Sequence, residues 1–486
     1  LTGIGALSGL SALVVGLGRE GTALAAYLAR HGLVVTATDL QPAQKFGTDL
    51  SFLQEAGVSL ALGEHPSSLL DEADILFVSP GVPLEIPFLQ EARLRKIPLS
   101  TESRLFCHLC PASIVAVTGS SGKTTTTTLV GKMMEADGRQ TWVGGNIGQP
   151  LIAVVDQIEP GDAVVMELSS FQLEYFHAKL NEGVEVAEIA GVQSEALAAL
   201  LDSWSPPLSA ILNITPNHLD RHPAMDDYVQ AKRAIVDYQG AEGRLIMSLD
   251  NELTRTLGRQ FGAKTRWFSL EAQMPGGASL VKDDIVLLDQ DGTRHRVASR
   301  PEIKLRGSHN LSNILAACLM AREAGVSLEA MRKVVTTFTG VEHRLQLVRE
   351  YRGVSYYNDS IATSPERLMA ALHAFDEPIV LLAGGRDKHL PWEDAARLMM
   401  YKTQHVILFG EATEIIARAI EQVRQEVNTI EPSLHRCVNL EEAVRLAAQV
   451  AKPGDVVLLS PGCASFDAFQ DFAERGERFR EFVWQL

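Results

Sequence analysis

Short apolar runs that end at glycine, proline or a polar turn recur through the chain. Most lead into segments with helical spacing of apolar residues. This alternation predicts an α/β protein built on parallel sheets. Ser11 to Gly21 (SALVVGLGREG) reads as a buried strand entering Gly16-x-Gly18-x-x-Gly21. A helix from Thr22 to His31 and a second strand (LVVTATD) ending at Asp39 follow. This is the dinucleotide fingerprint, with an acidic residue closing the second strand. Ile75 to Gly81 is another strand, ending in the turn Ser79-Pro80-Gly81, and strands are expected near Val58 and Pro98. Residues 1–103 are expected to form one parallel-sheet domain.

In Ser113 to Thr128 (SIVAVTGSSGKTTTTT), the apolar run Ile114–Val117 predicts a strand that breaks at Gly119, with a helix from Thr124 towards Gly138. Strand, glycine turn, Lys-Thr and helix start form the recipe for holding a polyphosphate, since converging backbone N–H groups and the helix terminus favour an anion. Lys123 can reach terminal phosphates and Thr124 can offer its hydroxyl to Mg²⁺. Val117 stands where the strict pattern has its first glycine, so the loop is a shortened variant. Residues 142–150 (WVGGNIGQP) read as a glycine-rich turn carrying Asn146, and the strand in 162–174 ends at Glu167, placed to meet a metal. Residues 175–208 are expected to be a surface insertion with one helix over 194–202. A strand at 210–214 leads to a polar loop with His218, Asp220 and His222, a candidate metal or carboxylate site. Tyr228–Tyr238 predicts an amphipathic helix bearing Lys232.

Gly307-Ser308-His309-Asn310 opens a helix through Ala321, and residues 339–344 read as a hinge around Gly340. Beyond it, strands are expected at 354–360, ending at Asn358-Asp359, at 379–384 before Gly385 and Lys388, at 405–410, and at 455–462. The last helix is expected from about Asp467 to Trp484, with Ser465 near its start, where backbone N–H groups favour a carboxylate.

Composition changes this picture little. At 486 residues the chain fits about three domains. A net charge of −16 with no basic stripe argues against nucleic acid as a partner. Leu1 to Gly18 lacks the basic start and cleavage-type end of a targeting segment, and no stretch is long and apolar enough to span a bilayer. The chain starts at Leu1 rather than Met, so the native N-terminus is expected upstream or recoded. The five scattered cysteines suit a reducing compartment, and Cys107-x-x-Cys110 lacks the second ligand pair of a zinc site.

Taken in order, GSSGKTT, GGNIG, ELSSFQLE, NITPNHLDR, the lysine of YVQAK, GSHN, FTGVEHR, NDSIAT, GGRDK and LSPGCASFD resemble the motifs of the Mur ligases of peptidoglycan synthesis, over almost the whole chain. The resemblance implies a Rossmann-like N-terminal domain, a P-loop ATPase-like central domain (104–340) and a Rossmann-like C-terminal domain (341–486). It implies a cytoplasmic, monomeric ligase using ATP and Mg²⁺. That ligase would join D-glutamate to UDP-N-acetylmuramoyl-L-alanine through an acyl phosphate. Gly18, Arg19, Glu20, Asp39, Ser79, Pro80, Gly81, Asn146, Ser169 and Gln172 would contact the sugar nucleotide. Gly119, Ser120, Ser121, Gly122, Lys123, Thr124, Thr125, Asn310, Arg344 and Asp359 would bind ATP. Thr363, Lys388, Ser465 and Phe466 would bind the amino acid. Thr124 and Glu167 would hold one Mg²⁺, and His218 a second, together with Lys232 carbamylated by CO₂. Lys123, His218 and Lys232 would carry the catalysis.

Three positions depart from the family pattern. Ile361 replaces a lysine after Asn-Asp-Ser, Ser364-Pro365 stands where asparagine is common, and Asn217 replaces an acidic residue. A cation is thereby removed from the amino-acid site, with Arg367 and Arg386 as candidates to replace it. The alternatives at this point are a ligase for L-glutamate or another amino acid, a binding protein without turnover, and an NAD-dependent oxidoreductase.

Overall fold

The computed structural model describes residues 3–46, 50–184, 192–216, 222, 224–388, 390–427 and 431–486. His218, Asp220 and Asn217 lie outside these. The chain divides into two compact units, residues 1–302 with 311–336, and residues 303–310 with 337–486.

The first unit holds two sheets. In one, β1 (Ser11–Val15), β2 (Val34–Asp39), β3 (Ser59–Leu62), β4 (Ile75–Val78) and β5 (Leu99–Ser100) lie in the order 3-2-1-4-5, all parallel. Order reverses at β1, so the glycine loop after β1 opens at the switch point of a doubly wound sheet. The other sheet has nine strands. They are β6 (Ser113–Thr118), β7 (Thr141–Gly145), β8 (Ala163–Glu167), β9 (Leu208–Ile211), β10 (Arg244–Ser248), β11 (Thr265–Ser269), β12 (Ala278–Val281), β13 (Asp284–Leu288) and β14 (Arg294–Ser299). The spatial order is 14-13-12-11-10-9-6-8-7. Only the β12–β13 and β13–β14 pairings are antiparallel. One apolar cluster runs through both sheets, from Val14 and Leu24 to Ala116, Met166 and Ile211.

The second unit is one six-stranded sheet. Its strands are β15 (Gln346–Tyr351), β16 (Val354–Asn358), β17 (Ile379–Gly384), β18 (Thr403–Phe409), β19 (Ser433–Arg436) and β20 (Val456–Gly462), in the order 15-16-20-17-18-19. All pairings are parallel except β15 with β16. Apolar clusters cover both faces of this sheet, as parallel strands require.

Four expectations need correction. The described part of 175–208 is not a surface insertion. Tyr175, Phe176, Ala196, Leu197 and Leu200 are buried, and the buried Arg104 guanidinium donates to the carbonyls of Tyr175 (2.6 Å) and Asp202 (3.0 Å). The helix bearing Lys232 spans Met225–Arg233 rather than 228–238. The glycine-rich run at 142–150 begins as the edge strand β7, since glycine fits beside β8: a Cβ on Gly145 would meet the Glu167 carbonyl at 2.3 Å. The last helix starts at Phe472, where the Asp471 carboxylate caps the N–H of Glu474. Ser465 therefore sits in the turn after β20, not at a helix start.

Candidate active site

The strand β6 delivers the phosphate loop. Its residues from Ile114 to Thr118 are buried, and the chain then turns through Gly119. Gly122 lies in the left-handed region (φ 81°) at the start of the helix Lys123–Ala136, and a Cβ there would stand 2.2 Å from Asn313 Oδ1. Glycine is therefore required by both backbone and neighbour. The loop is braced from the end of β9: Asn213 Oδ1 accepts from Ser121 N at 2.9 Å, and Ser120 N donates to the Asn213 carbonyl at 3.0 Å. Ser120 Oγ donates to the Thr215 carbonyl at 3.0 Å.

Two lysines meet at this loop. Lys123 Nζ donates to the Gly119 carbonyl at 3.0 Å. Lys232 Nζ donates to the same carbonyl at 3.1 Å and to Thr118 Oγ1 at 3.3 Å, and it stands over the Tyr228 ring. Lys232 is 1% exposed, so it is not a surface lysine of its helix. Burial, and then the nearby Lys123 charge, push its ammonium well below the ordinary lysine range.

Glu167 ends β8 beside β6. Its Oε1 accepts from Asn146 Nδ2 at 2.8 Å, while its Oε2 is buried without a partner among the described residues. A buried carboxylate oxygen left bare is costly unless a ligand satisfies it. With the Thr124 hydroxyl beginning the adjacent helix, this donor set fits a hard, oxygen-seeking cation. His222 does not join them. It is buried against Ser170 Oγ (3.1 Å) and the Glu174 carboxylate (3.2 Å), where it fixes the short helix Ser170–Leu173.

At the first sheet, Ser79 Oγ donates to the Gly16 carbonyl at 2.6 Å. Asp39 accepts from the backbone N–H groups of Leu17 (2.7 Å) and Gln41 (2.8 Å). A Cβ on Gly21 would fall 1.9 Å from the Gly16 carbonyl, so glycine lets the helix Arg19–Arg30 seat against the turn. Gly18, Arg19 and Gly81 are exposed around this cradle. Ser169 and Gln172 form a capping box, and Gln172 is fully enclosed, donating to Glu20 Oε1 (3.0 Å) and Ser103 Oγ (3.1 Å). Burial first, then the Glu102 carboxylate, lift the Glu20 carboxyl to about 8.

The second unit gathers its polar residues at the carboxyl ends of β16, β20 and β17. Asp359 accepts from Ser460 Oγ (2.9 Å) and Leu345 N (3.2 Å), and burial lifts its carboxyl to about 7. Lys388 Nζ donates to Thr363 Oγ1 at 3.1 Å. Arg386 is held by both oxygens of Glu411 at 3.0 Å, whereas Arg367 donates to the Ile361 carbonyl at 3.2 Å. Ser465 is buried and Phe466 exposed. Asn310 Nδ2 donates to the Arg306 carbonyl at 2.7 Å.

Three family descriptions match successive parts of the chain: a MurD-like Mur ligase N-terminal domain over residues 10–100, a Mur ligase middle domain over 117–321, and a Mur ligase glutamate ligase domain over 343–463. A UDP-N-acetylmuramoylalanine–D-glutamate ligase of Symbiobacterium thermophilum is 41% identical over 477 residues, covering 98% of each chain. The chain belongs to the Mur ligase family. A UDP-N-acetylmuramoylalanine–D-glutamate ligase of Acetivibrio thermocellus is 38% identical over 471 residues, covering 97% of this chain and 95% of its own. Among solved structures, the UDP-N-acetylmuramate–alanine ligase MurC of Thermotoga maritima shares the fold, with a TM-score of 0.55, 16% identity, and 98% and 99% coverage.

In this Mur ligase, sequence reasoning missed the residues that position the site from behind. Asn213 follows an ordinary apolar strand, and its bond to Ser121 closes across 92 positions. Arg475 sits in a helix whose pattern reads as a solvated charged face, yet it is wholly buried. Neither carries a local signal. Among the described residues no group of three or more histidine, cysteine or acidic side chains could hold a metal.

Proposed function

We infer that this Mur ligase joins D-glutamate to UDP-N-acetylmuramoyl-L-alanine at the expense of ATP, in peptidoglycan precursor synthesis. The single observation that carries the reading is the 41% identity with a UDP-N-acetylmuramoylalanine–D-glutamate ligase across 98% of both chains. The convergence of Lys123 and Lys232 on one phosphate-loop carbonyl, beside the bare Glu167 oxygen, supports it physically.

A carboxylate is a poor nucleophile toward a polyphosphate because both are anions. Lys123 and the N-terminus of the helix Lys123–Ala136 lower that repulsion and favour charge on the transferred phosphoryl group. The substrate carboxylate oxygen bonds to the terminal phosphorus of ATP, and ADP leaves. The glutamate amine then bonds to the acyl carbon, loses a proton, and inorganic phosphate departs. Mg²⁺, held by Thr124 and Glu167, would supply further positive charge at the phosphates. A second site, with His218 and a carbamylated Lys232, is proposed. Burial, and then the Lys123 charge, lower the Lys232 ammonium, the direction that reaction with CO₂ requires, and the product would be an oxygen donor.

The glycine cradle at Gly18, Arg19, Glu20, Asp39, Ser79, Pro80 and Gly81 is proposed to take the uridine diphosphate, with Asn146, Ser169 and Gln172 near the sugar nucleotide. Asn310, Arg344 and Asp359 are proposed ATP contacts. Thr363, Lys388, Ser465 and Phe466 are proposed to receive glutamate. No helix among the described residues is long and apolar enough to cross a membrane. A cytoplasmic site of action is proposed. The deciding experiment is phosphate release from ATP with UDP-N-acetylmuramoyl-L-alanine and each glutamate enantiomer. Release with D-glutamate is expected, and preference for the L form would overturn the reading.

A further inference from the structure

Beneath the carboxyl ends of β16, β20 and β17 lies a cation that no substrate contact explains. Arg475 is 0% exposed. Its guanidinium is spent entirely on three loop positions. Nε donates to Ser360 Oγ at 3.0 Å, and Nη2 to the Ser360 carbonyl at 2.9 Å. Nη1 donates to the carbonyls of Cys463 (3.1 Å) and Ala464 (3.2 Å), and Nη2 also reaches the Cys463 carbonyl at 3.1 Å. Ser360 Oγ passes its own proton to the Phe472 carbonyl at 2.7 Å.

A third loop is drawn in through backbone. Arg386 and Ala464 exchange N–H···O bonds at 2.8 and 3.0 Å, joining the turn after β17 to the turn after β20. Gly385 makes this possible. A Cβ there would stand 2.2 Å from the Ala464 carbonyl and 2.9 Å from Arg475 Nη1. Each of the three loops carries a proposed amino-acid contact: Thr363, Lys388 and Ser465.

A buried arginine is ordinarily paired with a carboxylate, because desolvating an unpaired charge is expensive. Among the described residues no carboxylate lies within ion-pair distance of Arg475. Asp467 acts on it only from further away, and its carboxylate oxygen accepts from the Glu411 N–H at 3.3 Å. Burial lowers the guanidinium to about 10, so it remains cationic at neutral pH. The cation thus stands under the loop cluster without a direct ion pair among the described residues, near the Lys388 ammonium, which burial first, then Arg367 and Arg475, depress.

We propose that Arg475 is a positioning residue for the incoming amino acid: its planar fork ties together the loops that carry Thr363 and Ser465, and the Arg386–Ala464 backbone pair holds the loop of Lys388 to them. Five bonds from one rigid group set two loops in mutual register, and the backbone pair of Arg386 with Ala464 brings in the third. This rests on the reading of the C-terminal unit as the glutamate site.

The test is steady-state kinetics of Arg475→Gln, Arg475→Lys and Gly385→Ala against the unaltered chain, varying glutamate, ATP and the sugar nucleotide in turn. In Arg475→Gln the KM for glutamate is expected to rise about ten-fold or more relative to the KM for ATP, with Arg475→Lys recovering part of the loss. Gly385→Ala, which leaves the charge but displaces the fork, should move the same constant in the same direction. Equal changes in all three KM values, or an unchanged glutamate KM in any soluble variant, would overturn the proposal. Should the unaltered chain release no phosphate in response to glutamate, it is the functional reading that fails, and the two outcomes stay separate.

Discussion

Lys123 and Lys232 share one acceptor: both ammonium groups donate to the Gly119 carbonyl, at 3.0 and 3.1 Å. Two full positive charges so close, one of them enclosed, are mutually unfavourable, and the buried member gives way. This suits the roles proposed for the two: Lys123 as the cation toward phosphate, and Lys232 as the residue to be modified.

Removing the Lys123 charge is expected to abolish catalysis with the fold intact. Lys123→Met should lower kcat/KM at least about 10³-fold, with a thermal midpoint close to that of the unaltered chain. A loss of less than ten-fold would show that the loop does not bear on the phosphates.

Lys232→Ala should be inactive for a different reason, the loss of an oxygen donor. Acetate or another short carboxylate is expected to restore part of the rate by occupying the vacated space. Lys123→Met should show no such recovery. Full activity of Lys232→Ala without added carboxylate would dispose of the carbamate.

Glu167→Gln removes charge from a buried carboxylate oxygen that lacks a hydrogen-bond partner among the described residues. The Mg²⁺ concentration giving half-maximal rate is expected to rise more than about ten-fold. Metal-free stability should stay within ~1 kcal/mol, because the Asn146 bond can persist. An unaltered Mg²⁺ response would remove Glu167 from the metal site.

The missing cation at Ile361 is expected to be supplied by Arg367 rather than Arg386. Arg386 is committed to Glu411 through both carboxylate oxygens, while Arg367 lies against the Ile361 carbonyl itself. Arg367→Ala should raise the glutamate KM about ten-fold, and Arg386→Ala should change it less than about three-fold. The reverse pattern would exchange their roles.

Stability should depend on pH through Glu20. Its folded carboxyl titrates near 8, against 4.5 when unperturbed, so the folded state holds a proton that the unfolded chain releases. This contribution is whole below 4.5 and is lost as pH rises through about 8. Between about pH 5 and pH 9 the unaltered chain should lose roughly 1–3 kcal/mol relative to Glu20→Gln, which mimics the protonated form. Parallel thermal unfolding curves for the two proteins would contradict this.

The strand-to-loop junctions were legible because each ends a largely apolar run at a polar or charged residue, with glycine beside it at the Lys123 and Lys388 loops. Asp39, the Lys123 loop, Glu167 and Lys388 all stand at such junctions. Cross-chain agreements were not legible. Arg104 looks like any helical arginine until the carbonyls of Tyr175 and Asp202 are seen to fold back onto it. Ser465 was misplaced because Asp471, a stronger cap, lies six positions later. The short β12 and the mixed-polarity β14 carry little strand signal of their own.

The apolar cluster that joins Val14 to Met166 limits how this chain can be taken apart. A gene split after residue 103 would yield two polypeptides, each with a greasy wall where its counterpart had been. Neither fragment should be recoverable as a free-standing module. Proteolysis within the first unit should therefore remove the Gly16 cradle and the Gly119 loop in one event rather than trim one and spare the other.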